Sequence, residues 1–260
     1  MYKDNSDVLW IGTLGNGINK TDLKPKKFKH YQKKINDPSS LGENYVRSIV
    51  ESPDGEIWVG TLVGGLNLFD PVTERFYHYL PDGKNDGRTP NDNNVWSLCF
   101  ENENILWIGT INGLNRLDKN TGNYTYYVHN DKDYGSISEN TIRCVFRDSK
   151  GNIWAGTEGG LNKYLPATGT FEKYTKGKDN PKAISDNTIW KITEDKNGNF
   201  WLATNNGLNK FDPSGLKFTH YKYDPSDKNS LSNNGVRTCL IDNRGRLWVG
   251  TQNGLNLFDE

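Results

Sequence analysis

The sequence predicts an all-β fold, a β-propeller of four-stranded antiparallel blades, because one motif is repeated at a blade's spacing. The motif reads LWVGT at Leu247 to Thr251 and occurs six times, and its tryptophans stand 47 to 49 residues apart. Self-similarity at that period is typical of propellers, in which each repeat is one blade. The repeat also fills the whole chain of 260 residues. Its six tryptophans are Trp10, Trp58, Trp107, Trp154, Trp201 and Trp248.

One complete unit indicates why each repeat should form four strands. Val46–Glu51 and Ile57–Thr61 are short β-rich runs separated by a turn that contains Asp-Gly. Leu66–Asp70 is a third run, and Arg75–Tyr79, after another turn, is a fourth. Such a meander cannot bury both of its faces alone, so each blade needs a neighbour on either side.

The later units repeat this order with small changes. The first, innermost strand recurs at Val95–Phe100, Ile142–Asp148, Ile189–Asp195 and Val236–Asp242. The fourth strand recurs at Phe28–Tyr31, Tyr124–Tyr127, Phe171–Tyr174 and Phe218–Tyr221. The blade units are therefore expected at about 1–42, 43–90, 91–138, 139–185, 186–232 and 233–260, in one propeller domain or fragment.

The two terminal units are incomplete by this alignment. The first begins where its inner strand should be finishing, and the last stops before an outer strand, which leaves four whole blades between them. We expect the chain to be part of a larger ring. Open blade edges are ready to pair with another chain, so a homodimer through those edges is a hypothesis.

Composition argues against two classes of partner. The 32 basic and 32 acidic side chains cancel, so no net field recruits nucleic acid. No apolar run is long enough for a membrane span, so direct membrane insertion of this piece is not expected. Cys99, Cys144 and Cys239 lie in three different repeats and are expected to be free, buried thiols.

The residues that could support catalysis or metal binding are few. Of four histidines, three occupy one repeat position in the outer strand, which indicates a scaffold role, and His129 lies in a loop. The segment Asp195 to Asn199 resembles the start of a calcium loop but lacks the closing glutamate and fits a hairpin turn. We therefore predict no catalytic residue, no metal site and no cofactor. The three repeated histidines are His30, His78 and His220.

The repeat unit closely resembles the two-component regulator propeller repeat. The resemblance is carried by the inner strand, the glycine-containing turn, I-W-V-G-T, G-L-N, F-D and F-x-x-Y, and it covers essentially the whole chain. It implies a ligand-sensing propeller of a bacterial hybrid two-component sensor. Such propellers lie outside the cytoplasmic membrane, in the periplasm or beyond, detect oligosaccharides and precede a C-terminal signalling module. Six motifs instead of the family's common seven blades, and Ala203 in place of the motif glycine, are departures.

Function is expected where the repeats differ, because scaffold positions hold one residue class in every blade. The second residue of the inner strand alternates between cation and indole, near the predicted mouth of the central channel. Arginine pairs bidentately with carboxylate or sulfate, and tryptophan stacks on sugar faces. These positions are Arg47, Trp96, Arg143, Trp190 and Arg237. Turn residues that vary on the same face are Asn112, Glu158, Asn205 and Gln252.

Alternative interpretations remain open from the sequence. The same side chains could plug the channel or pack between blades. The expected function is non-catalytic recognition of extracellular oligosaccharide at the channel mouth. The alternatives are a propeller enzyme, such as a polysaccharide lyase or glycosidase, and a scaffold that binds a protein partner.

Overall fold

The computed structural model describes residues 29–177, 180 and 182–259, together with the backbone of residues 2–3, 8–13 and 17–22. All regular structure in this part of the chain is β, and no helix in it is long and apolar enough to cross a membrane. The chain divides into two compact units, Met1–Gln32 and Lys33–Glu260. The prediction of an all-β blade architecture is confirmed.

The first unit contains one three-stranded sheet, in the order β1-β2-β3. Its strands are β1 (Tyr2–Lys3), β2 (Val8–Thr13) and β3 (Gly17–Asp22). Tyr2 pairs with Trp10 in β2, as Val50 pairs with Trp58 in the next repeat, so β1 corresponds to the end of an inner strand. The side chain of Trp10 lies outside the described residues. The fourth strand predicted at Phe28–Tyr31 is wrong for Lys29 to Tyr31, which form no ladder, and Phe28 lies outside the described residues.

The second unit contains five blades, each an antiparallel meander in chain order. The first two consist of β4 (Val46–Glu51), β5 (Ile57–Thr61), β6 (Leu66–Asp70) and β7 (Arg75–Tyr79), then β8 (Val95–Phe100), β9 (Ile105–Thr110), β10 (Gly113–Asp118) and β11 (Asn123–Tyr127). The next two consist of β12 (Ile142–Arg147), β13 (Ile153–Thr157), β14 (Leu161–Leu165) and β15 (Thr170–Tyr174), then β16 (Ile189–Glu194), β17 (Phe200–Thr204), β18 (Gly207–Asp212) and β19 (Lys217–Tyr221). The fifth has three strands, β20 (Val236–Ile241), β21 (Leu247–Thr251) and β22 (Gly254–Phe258).

The tryptophan of the repeated motif lies between consecutive blades. Trp107 is fully buried, with its ring centroid 5.5 Å from that of Tyr127 in its own outer strand and 4.8 Å from that of Tyr164 in the next blade. Its indole N–H donates to Glu101 at 2.8 Å. Trp58, Trp154 and Trp201 are buried in the same position, whereas Trp248 in the fifth blade is partly exposed.

The glycine of the motif lets consecutive blades approach closely. A Cβ on Gly109 would lie 2.8 Å from Cγ2 of Ile142, the first residue of the next inner strand. Gly60 stands in the same relation to Val95, and Gly156 to Ile189. These contacts are too short for a real Cβ, so the glycine is required by packing rather than by backbone conformation. The first strands of consecutive blades are accordingly neighbours.

An asparagine in each third strand of the second unit, buried in its first four blades, fixes the long loop that precedes the blade. Oδ1 of Asn209 accepts the backbone N–H of Ser185 at 2.9 Å, and its Nδ2 donates to the Ser185 hydroxyl at 2.8 Å. Because a buried unpaired amide is costly, this pairing ties loop position to strand register. The same backbone contact is made by Asn67, Asn115, Asn162 and Asn256 to a residue 24 or 25 positions earlier.

The first and fifth blades of this unit expose the surfaces that the other blades bury. Leu255 in β22 is 67% exposed, although its four counterparts in the other blades are fully buried. Ile49 in β4 is also 67% exposed, whereas Leu98, Val145 and Ile192 at its position are buried. The four counterparts of Leu255 are Leu66, Leu114, Leu161 and Leu208. Both faces therefore carry apolar side chains suited to covering by another sheet.

Candidate functional site

The second residue of every inner strand in the second unit lies in a β-bulge. In the ladder between β12 and β13, Ile142 pairs with Thr157 and Cys144 pairs with Gly156, so Arg143 has no partner of its own. The same shift recurs in the other four blades. A bulge releases one residue from the ladder and changes the direction of its side chain. The five released residues are Arg47, Trp96, Arg143, Trp190 and Arg237.

These five side chains form a continuous stack across five blades, which we call the Arg-Trp ladder. The guanidinium carbons of Arg47 and Arg143 lie 4.4 and 4.2 Å from the ring centroid of Trp96. Arg143 and Arg237 lie 4.7 and 4.4 Å from that of Trp190. Cation and ring therefore alternate without a gap. Contacts of this length are favourable cation–π interactions, worth about 0.5–2 kcal/mol each.

The ladder packs between blades, one of the alternatives that the sequence left open, and ligand binding by the same residues stays a prediction. Each indole is flanked by guanidinium groups from the blades on both sides, so the side chains pack between blades. The edges of the guanidinium groups still carry N–H donors and positive charge. Arg47 and Arg237 are exposed, and the side chain of Arg143 is 14% exposed.

Turn residues between the second and third strands contact the ladder from the same edge of the blades. Arg143 donates from Nε to Oε1 of Glu158 at 3.1 Å and also pairs with it through Nη2. Oδ1 of Asn205 accepts from the Trp190 indole at 2.8 Å and from Nη1 of Arg237 at 3.2 Å. Two of the predicted turn residues, Glu158 and Asn205, are thus brought to the ladder.

The other two predicted turn residues lie differently. Asn112 is one position beyond the counterpart of Asn205, and its backbone carbonyl accepts from the side chain of Asn91 at 2.7 Å. The residue that corresponds to Asn205 is Ile111, which the sequence analysis missed. Counting from the motif threonine, Thr110, would have found it. Gln252 has the right position, but its side chain lies against Gly235 in the same blade.

Ile111 has a consequence for the ladder, because it cannot accept a hydrogen bond. The indole N–H of Trp96 is buried and has no hydrogen-bond partner among the residues that the structure describes. The same group of Trp190 is satisfied by Asn205. A buried donor without an acceptor costs about 1–3 kcal/mol. The surroundings of Trp96 are therefore chemically different from those of Trp190.

The histidines and the turn aspartates have scaffold roles in the described structure. His78 bridges Asn67 Oδ1 at 2.8 Å and the carbonyl of Pro38 at 3.0 Å, and His220 contacts the carbonyl of Ala183 at 2.8 Å. His129 contacts the carbonyl of Ile137 and a carboxylate oxygen of Asp131. These hydrogen bonds raise the pKa of His129. His30, the third of the repeated histidines, is exposed.

The candidate calcium loop is a hairpin turn. Oδ1 of Asp195 accepts the backbone N–H groups of Asn197 and Asn199, both at 2.9 Å. Asp148 and Asp242 accept the equivalent amides in their own turns. Within the described ranges, no group of three His, Cys, Asp or Glu side chains is arranged to hold a metal ion.

The three cysteines are free thiols without a disulfide. Burial raises the pKa of Cys99 to about 11, that of Cys144 to about 12 and that of Cys239 to about 11. They are therefore protonated at neutral pH and poor nucleophiles.

Comparison with protein families matches five segments of the chain to the two component regulator propeller. The segments are residues 40–62, 89–112, 136–159, 183–206 and 230–253. Each one runs from the loop before an inner strand to the turn after the tryptophan motif. Among curated proteins, none matches this sequence.

Solved structures share the fold. The extracellular domain of a hybrid two component system from B. thetaiotaomicron is 28% identical with a TM-score of 0.73, over 98% of this chain and 32% of that one. PorZ, a surface component of the type-IX secretion system of Porphyromonas gingivalis, is 18% identical with a TM-score of 0.64, over 97% and 37%. Virginiamycin B lyase from Staphylococcus aureus is 16% identical with a TM-score of 0.58, over 86% and 71%. This chain thus spans about a third of the first two structures.

The unpaired indole of Trp96 yields a stability prediction. Replacing Ile111 with Asn supplies the acceptor that Asn205 gives Trp190, so the free energy of unfolding should rise by about 1 kcal/mol. The reciprocal change, Asn205→Ile, should lower it by at least as much. Urea denaturation of both variants, with Ile111→Leu as the control, measures this. Equal stability of Ile111→Asn and Ile111→Leu would contradict the view that residue 111 is where an acceptor for the Trp96 indole N–H is missing.

Proposed function

We propose that this chain, which belongs to the two component regulator propeller family, is the non-catalytic ligand-sensing part of a bacterial surface receptor. Its ligand is an extracellular oligosaccharide. The observation that carries the proposal is the Arg-Trp ladder, a row of arginine and tryptophan side chains at a position where the blades differ in chemistry.

The location outside the cytoplasmic membrane rests on the relative from B. thetaiotaomicron, whose described part is an extracellular domain. That relative belongs to a hybrid two component system, and this chain spans 32% of its domain. A signalling module C-terminal to the propeller in the parent protein is therefore the proposed output partner. Binding of the oligosaccharide would be the input.

The proposed binding residues are the ladder and the turn residues beside it. Arg47, Arg143 and Arg237 offer N–H donors, and Trp96 and Trp190 hold those donors in place. Glu158 and Asn205 contact the ladder, and Asn112 and Gln252, in the corresponding turns, are proposed to add side-chain acceptors and donors for hydroxyl groups. Polar side chains converging from several blades are the arrangement that orients a sugar ligand.

A catalytic role is the competing proposal, since virginiamycin B lyase shares the propeller fold. That likeness concerns the fold alone. Three of the four histidines, the usual general bases at neutral pH, are hydrogen-bonded to backbone carbonyls of neighbouring loops, which favours scaffold roles.

Isothermal titration calorimetry with a panel of uronic-acid and neutral oligosaccharides tests the sensing proposal. Arg143→Ala and Trp190→Ala should each weaken binding at least tenfold, because the first removes a donor and the second removes the surface that orients two donors. Arg244→Ala, in an exposed turn of the fifth blade, is the matched control. Unchanged binding in both ladder variants would exclude the ladder as the site. Release of unsaturated product from uronate polymers, followed by absorbance, would favour the lyase instead.

We also propose that two copies of this chain associate through their exposed blade faces. The Ile49 face of one copy and the Leu255 face of another carry the residues that meet at every internal blade boundary. Light scattering over a range of concentrations should show self-association, and Leu255→Asp should abolish it, while Val72→Asp in an exposed turn should not. A monomer at all concentrations would refute this association.

A further inference from the structure

We infer that the Arg-Trp ladder selects anionic groups, the carboxylates or sulfates of an acidic oligosaccharide, at its Arg47–Trp96–Arg143 end. This inference rests on the proposed function, since it specifies the ligand of the same site. It also assigns the recognition to guanidinium edges rather than to stacking of sugar rings on tryptophan.

Stacking is disfavoured because the indole faces are already used. Trp96 has a guanidinium group at 4.4 Å and another at 4.2 Å from its centroid, contributed by the blades on either side of its own. Trp190 is flanked in the same way at 4.7 and 4.4 Å. A sugar ring could replace such a group only by breaking a cation–π contact. The indole faces are thus occupied, and the N–H edges of the guanidinium groups are what remains for a ligand.

The charges along the ladder are not balanced. Three guanidinium groups contribute to it, and Glu158 is the carboxylate that pairs with one of them, Arg143. Arg237 is hydrogen-bonded to Asn205, which is neutral. Within residues 29–177 and 182–259, Arg47 makes its contact with Trp96 and has no carboxylate partner. Since Glu158 neutralises Arg143, the uncompensated positive charges are those of Arg47 and Arg237, at the two ends of the ladder.

The ladder also holds these donors in fixed positions. A guanidinium group lying on an indole loses part of its rotational freedom before any ligand arrives, so less entropy is lost on binding. Arg47 can offer two parallel N–H groups on one side of the Trp96 ring, while Arg143 on the other side is already paired with Glu158. Carboxylate and sulfate oxygens match that fork, whereas a sugar hydroxyl satisfies only one donor.

The unpaired indole N–H of Trp96, which lies between Arg47 and Arg143, is an independent observation. The corresponding donor of Trp190 is occupied by Asn205. Arg47 and Trp96 therefore combine an uncompensated charge with a donor that lacks an acceptor. Both features call for an acceptor-rich group.

The experiment compares charged and uncharged forms of the same sugar. Calorimetry is run with a galacturonic acid tetrasaccharide, its fully methyl-esterified counterpart and a sulfated heparin-type tetrasaccharide. One of the two acidic probes should bind at least tenfold more tightly than the ester, and that binding should weaken as NaCl is added. Arg47→Gln should weaken acidic binding at least tenfold, and Arg47→Lys less, because charge is kept and the fork is lost. Arg244→Gln, an exposed arginine outside the ladder, should bind as the parent chain does.

The outcomes separate this inference from the proposed function. Equal binding of the acid and its ester, or an Arg47→Gln variant that behaves like Arg244→Gln, overturns the selection of anions and leaves oligosaccharide sensing intact. Failure of all three sugars and of the neutral oligosaccharide panel to bind overturns both. Preference for the sulfated over the uronate probe, or the reverse, supports the inference and identifies the anion. Because Arg47 is exposed, its replacement should leave the fold unchanged, and circular dichroism verifies this.

Discussion

The packing of one blade against the next is the interaction on which the rest of this structure depends. A single blade is a narrow meander with two apolar faces, and it gains its stability from the neighbouring blades that cover them. Two residues of the repeated motif supply that contact. Its tryptophan packs between the outer strand of its own blade and the third strand of the next, and its glycine lets the next inner strand approach, as between Gly109 and Ile142. The near-complete burial of Trp107 and Trp154 shows how closely the blades are packed.

Close spacing of the inner strands also explains how a functional surface can be built from one residue per blade. The bulge at the second residue of each inner strand releases that residue from pairing with the neighbouring strand. Neighbouring blades bring these side chains within contact distance, so that Arg47, Trp96 and Arg143 meet although they are 96 residues apart from first to last. The scaffold is repetitive, but the row of side chains is not, and the differences give the candidate site its chemistry. Charge and hydrogen-bonding capacity then vary from one residue of the Arg-Trp ladder to the next.

Much of the fold could be predicted from the sequence, since strands, turns and blade order follow directly from the period of the repeat. Residues that differ between repeats also pointed to the site. The bulge could not be predicted, because the residue types do not reveal which residues pair across two neighbouring strands. Without it, the contact between Arg143 and two tryptophans, and hence the covered faces of those rings, could not be foreseen. Side-chain chemistry suggested Asn112 as a turn residue, whereas the count from Thr110 leads to Ile111. The asparagines that fix the loops were visible in the recurring G-L-N, but their partners lie 24 or 25 residues away and needed the structure.

The central claim is that the repeated tryptophans are scaffold and the ladder tryptophans belong to the binding surface. The chain has eight tryptophans, six in the motif and two in the ladder. A proton–nitrogen correlation spectrum resolves each indole N–H, and assignment by single Trp→Phe variants identifies each signal. On titration with the oligosaccharide that binds most tightly, the signals of Trp96 and Trp190 should move while those of Trp58, Trp107 and Trp154 stay in place. Movement confined to the motif tryptophans, with Trp96 and Trp190 unchanged, would contradict the account.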